Sequence, residues 1–89
     1  MNAPTPDVER ASVALRAALD DVARTARDVG SAAATWANAL ALGGSGEAEQ
    51  RACRAAQVRL LTAYAVVGDA TTAHRTALAH ARVAGEWTD

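Results

Sequence analysis

The residues of this chain whose types could do chemistry are two histidines, one cysteine and a pair of adjacent aspartates, and their spacing argues against a reactive site. His74 and His80 are six residues apart, which on a helix turns them about 120° away from each other, so they do not form the i,i+4 pair that a helical metal site uses. Cys53 stands alone, which excludes an internal disulfide, and no histidine adjoins it in sequence to activate a thiolate. It reads as a small apolar residue. Asp20 and Asp21 resemble paired carboxylates only on paper, because they project from a face laced with arginine. Gly43-Gly44-Ser45-Gly46 is too short for a phosphate loop and lacks its lysine. No catalytic residue, cofactor site or metal site is expected, and the chain reads as non-enzymatic.

These residues must be positioned by a single small domain, since the chain has 89 residues. Nine Lys plus Arg (all of them arginine) against ten Asp plus Glu leave a formal charge of −1, which argues against a nucleic-acid surface. No apolar run approaches the ~18–20 residues that cross a bilayer, so no membrane insertion is expected. The start, Met1-Asn2-Ala3-Pro4-Thr5-Pro6-Asp7, lacks a signal-peptide pattern, and the expected location is the cytoplasm. With neither disulfide nor metal to staple so short a chain, the remaining support is a partner chain.

The pattern predicts an all-α, antiparallel two-helix hairpin. Residues 1–5 are a lead-in, 6–42 a first helix, 43–46 the turn, 47–84 a second helix and 85–89 a tail. Thr5 suits the N-cap, Pro6 the first helical position, and Asp7 and Glu9 the positive end of the dipole. Ser45 or Gly46 can cap the second helix, and Gly85 suits its C′ position.

Val8, Leu15, Val22, Val29 and Trp36 recur every seven residues, the spacing of a helix–helix seam. Ser12, Leu19, Ala26, Ala33 and Leu40 follow each by four and are read as its second row. In the second helix the seam runs Cys53, Leu60, Val67 and His74, with Ala56, Ala63, Ala70 and Ala77 three residues after each. Folding the chain at the glycines brings together positions that add to 89, such as Trp36 with Cys53, Val22 with Val67 and Leu15 with His74. The same rule sets Leu19 against Ala70, Ala26 against Ala63 and Ala33 against Ala56, alternating large layers with small ones. On the outer face Arg16, Asp20, Arg24 and Asp28 form a ladder of i,i+4 pairs.

Apolar residues remain outside the seam. Val58, Leu61, Tyr64, Ala65, Val66 and Leu78 supply bulk on the second helix, and Ala11, Ala18, Thr25, Ala32 and Ala39 supply a small flank on the first. Ala23, Gly30 and Ala37 form a second small flank. Such a strip marks a partner surface, and two hairpins joined through it make a four-helix bundle. The second hairpin is either another copy or a different protein.

Length, alanine content and two long arms around a central turn resemble the WXG100 (ESAT-6-like) proteins of type VII secretion. That family carries Trp-x-Gly in the turn; here Trp36-Ala37-Asn38 stands about two helical turns earlier. Its Tyr-x-x-x-Asp/Glu export signal has its nearest counterpart in Tyr64 followed by Gly68-Asp69. The resemblance implies a small secretion-associated partner, or a chaperone of a larger secreted protein, exported with it by a route needing no signal peptide. A homodimeric helical scaffold unconnected with secretion is the alternative. His74-Arg75-Thr76-Ala77-Leu78 also faintly resembles the phospho-accepting box of histidine-kinase dimerisation hairpins, which would make His74 a phospho-acceptor. Against it stands a neutral seam histidine.

Overall fold

The computed structural model describes residues 6–86, which form two helices joined by one turn: α1 (Pro6–Ala41) and α2 (Glu47–Glu86). The two lie side by side along their length as an all-α hairpin, 16 × 13 Å in cross-section. At 1.5 Å per residue the arms are about 54 and 60 Å long. Thr5 and the Trp87 tail lie outside the described residues. Gly85, expected to follow the second helix, lies within it, because α2 continues to Glu86.

Glycine chemistry makes the turn. Gly43 adopts φ 88°, and its N–H donates to Leu40 O at 3.0 Å, while Gly44 N–H donates to Ala39 O at 3.0 Å. This pair of bonds is a Schellman closure, which satisfies carbonyls that the end of α1 would leave bare. Gly46 then opens α2, its carbonyl accepting from Gln50 N–H at 2.8 Å. Gly46 combines φ 69° with a close approach: a Cβ there would sit 2.8 Å from Cδ1 of Trp36. The indole of Trp36 thus closes the turn end of the hairpin against bare backbone.

The seam of α2 is as expected. Cys53, Ala56 and Ala63 are buried, and Leu60, Val67, Ala70, His74 and Ala77 are half-buried. On α1 the first row also holds, with Val8, Leu15, Val22, Val29 and Trp36 all half-buried. The second row does not. Leu19 is 51% exposed, and Ser12 is half-buried while Ala26, Ala33 and Leu40 are exposed. The small residues one position earlier face α2 instead: Ala18 and Thr25 are buried, and Ala11, Ala32 and Ala39 are half-buried. Ala18, Ala32 and Ala39, expected on an outer partner surface, therefore belong to the hairpin's own seam.

Thr25 and Ala63 line one groove between the arms, and Ala11 and Ala77 line another, which sets the small row of α1 beside the alanine row of α2. The physical reason is the alanine row of α2. Alanine facing alanine lets two helices approach closely, whereas leucine at that layer would wedge them apart. Thr25 is tolerated in this layer because its hydroxyl donates back to Asp21 O at 2.8 Å and to Val22 O at 3.1 Å, leaving no unsatisfied polar group.

Replacing Ala63 by leucine should overpack this layer and cost about 1–3 kcal/mol. Urea unfolding followed by far-UV circular dichroism measures it, and an unchanged midpoint would place the close approach elsewhere. Gly46→Ala should lower the same midpoint, because both the positive φ and the nearby indole oppose a Cβ.

A candidate docking face

The side chains that could react are dispersed. His74 is half-buried in the seam and His80 is exposed in a groove with Asp7 and Arg10. Cys53 is a buried free thiol at the turn end. Among the described residues no three His, Cys, Asp or Glu side chains are placed to share a metal ion. No described helix is long and apolar enough to cross a membrane. The expected ladder on α1 is replaced by i,i+3 pairing: Arg24 Nη2 bonds Asp21 at 3.2 Å and Arg10 bonds Asp7. Asp21 is half-buried beside the seam, whereas Asp20 and Asp28 are exposed. Both pairs remain largely in water and contribute little to stability.

What the hairpin does possess is two unlike sides. One is the charged side. Its grooves are lined by Asp7, Arg10 and His80 near the arm tips, by Asp21 and Arg59 at the middle, and by Glu49 near the turn. With seven residues to two turns, positions on the other flank of the seam must face the opposite way. There α1 presents Ser12, Leu19, Ala26, Ala33 and Leu40, and α2 presents Gln50, Gln57, Tyr64, Thr71 and Leu78. None of these ten residues is charged.

The row beyond them extends the apolar zone. From Leu19 to Leu40, α1 offers Ala23, Ala26, Gly30, Ala33 and Ala37, all exposed. Across from them α2 offers Leu61 (68% exposed), Tyr64 (54% exposed) and Gly68. Arg54 interrupts this face on α2, level with Ala33 to Ala37 of α1, and Arg16 and Arg75 lie toward the tips. Of the residues expected at a partner surface, Leu61, Tyr64 and Leu78 lie on this face. Val58 and Ala65 are exposed on the outer side of α2, and Val58 borders the charged groove.

Two glycines make this face unusual. Gly30 and Gly68 both lie inside helices, where glycine costs about 1 kcal/mol relative to alanine. A Cβ at either position would meet nothing within 4 Å, so packing inside the hairpin does not require them. Both sit on the uncharged face. Leu19, Ala26, Ala33 and Leu40, expected in the seam, stand exposed on this face. The signal that could have separated them was the alanine row of α2, which needs small residues opposite.

Compared with models of protein families, with curated proteins and with solved structures, the chain matches none. The site therefore rests on its own geometry. If the face is open in the isolated hairpin, Gly30→Ala should raise helix stability by up to about 1 kcal/mol at concentrations where the chain is alone. Thermal melts at low micromolar concentration or below would check it, and a fall in stability would mean that the glycine is needed within the hairpin.

Proposed function

We propose that this hairpin is a non-enzymatic protein–protein interaction module that docks another helical surface through its uncharged face. The single observation carrying this reading is a largely apolar zone spanning both arms, while among the described residues no large side chain is fully buried. Exposed leucines and a tyrosine grouped on one side, opposite a charged side, suit association. Within that reading, two long arms about a glycine turn, rich in alanine, favour a WXG100-like secretion-associated partner or a chaperone of a larger secreted protein. Export would then follow the partner, since Tyr64 and Asp69 both lie in the middle of α2 and not beyond its end.

A homodimeric scaffold is the second reading, favoured by Gly30 and Gly68, whose cost is left unexplained by the single chain. The enzyme-class alternative, phosphotransfer through His74, draws no support from a half-buried seam position.

Leu61→Asp and Tyr64→Asp should each weaken association at least tenfold while keeping helix content, because a charge buried at an interface without a partner is costly. Sedimentation velocity with circular dichroism reads both properties. Unchanged mass in both variants would show that docking, if any, uses another face. Co-expression with the helical product of a neighbouring gene separates the two readings, since a secretion partner should co-purify in defined stoichiometry.

A further inference from the structure

Resting on the docking reading above, we infer that the docking face selects a single acidic amphipathic helix of a different protein, whose apolar stripe is bracketed by carboxylates about three heptads apart. Charge in the middle of this face is of one sign. Arg16 on α1 and Arg54 and Arg75 on α2 are exposed along it, and its carboxylates stand only at the ends, Glu9 by the tips and Glu47 by the turn. None of the three arginines has an ion pair or side-chain hydrogen bond among the described residues. Arg54 and Arg75 have no acidic residue three or four positions away on either side, so no pair can form within their own helix. Arg16 has Asp20 four positions on and does not bond it. By contrast Arg10 and Arg24, on the opposite side, each pair with an aspartate of α1.

The spacing of these charges sets a ruler. Arg54 and Arg75 are three heptads apart on α2, roughly 30 Å at 1.5 Å per residue. Arg16 stands at nearly the level of Arg75, since Ala11 and Ala77 line one groove. Between the basic ends, α1 gives a shallow floor in which Ala23, Ala26, Gly30 and Ala33 are exposed. Leu61 and Tyr64 of α2, also exposed, form its wall. A Cβ on Gly30 would meet nothing within 4 Å, so the floor is open down to the backbone. The rod is 16 × 13 Å in cross-section, and a helix with its side chains is about 10–12 Å across. One helix fills that trough.

Other occupants suit the charges or the shape less well. A second copy set lengthwise brings Arg16 against Arg75, and set crosswise it brings Arg54 toward both, so like charges meet in either sense. An anionic bilayer would attract the arginines, but it takes up protruding bulky side chains, whereas the floor here is alanine and glycine. A helix with acids at two points of one face, about six turns apart, meets both basic ends at once. Its apolar stripe covers the floor between them. Charges at the rim of such a contact choose the partner more than they add affinity.

Two labelled helical peptides test this on the full chain. Both carry a leucine stripe; one has glutamates three heptads apart at its ends, and the other has lysines at the same points. Fluorescence anisotropy at low salt should show the glutamate peptide binding at least tenfold tighter, and added salt should narrow the gap. Arg16→Glu, Arg54→Glu and Arg75→Glu together should invert the order with helix content kept, since all three side chains are exposed. Moving one glutamate inward by a heptad should lower the preference severalfold. Equal binding of the two peptides, lost in Leu61→Asp, overturns the acidic partner but leaves the docking reading standing. Binding of neither peptide overturns this inference, and the docking reading is then judged by the Leu61→Asp and Tyr64→Asp comparison above. A chain that sediments as a dimer of its own, or that binds phosphatidylserine vesicles and not the glutamate peptide, also overturns it.

Discussion

How close the two arms come is set by the smallest side chains between them, and the remainder of the hairpin adapts to that distance. Ala56, Ala63, Ala70 and Ala77 form one row of α2, so the facing row of α1 must also be small. Ala11, Ala18, Thr25 and Ala32 occupy it, and larger neighbours are turned outward. Thr25 enters the row only because its hydroxyl finds acceptors in its own helix. The turn obeys the same constraint. Arms that run close need a short connection, and the left-handed Gly43 and Gly46 supply it where a side chain would strain or collide.

A seam of alanines has a consequence for stability. Small residues bury little area each, and the buried apolar set among the described residues is Ala18, Cys53, Ala56 and Ala63. Leucine and valine in the seam are only half-covered, since two rods cannot enclose a side chain that a third or fourth could. The hydrophobic driving force therefore remains partly unspent on one side of the hairpin, where leucine, tyrosine and alanine meet water. The opposite side carries aspartate, arginine and histidine in its grooves, with the exposed Val58 and Val66 among them.

Much of this was legible in the residues. Heptad spacing and uninterrupted helix formers predict two helices, and the glycine cluster predicts their fold-back. The start of α1 at Pro6 and of α2 at Glu47 follow from local chemistry, as does the α2 seam. The α1 seam was only half legible. Positions three and four after each large residue both lie near the seam, and hydrophobicity favoured Leu19 and Leu40. Close approach favoured Ala18 and Ala39, and it prevailed. Gly85 looked like a stop, yet one glycine near a helix end lowers helix stability without ending it.

The linear chain by itself thus determined the elements, their order and their antiparallel sense, because these depend on period and on local backbone preference. Only the tertiary structure decided which small row faces inward, and so which leucines face outward. That choice turns on the distance between two helices, a quantity to which both arms contribute and neither reveals alone. The uncharged face follows from it. Rotating α1 by a single residue moves Leu19, Ala26, Ala33 and Leu40 from the interior to the surface.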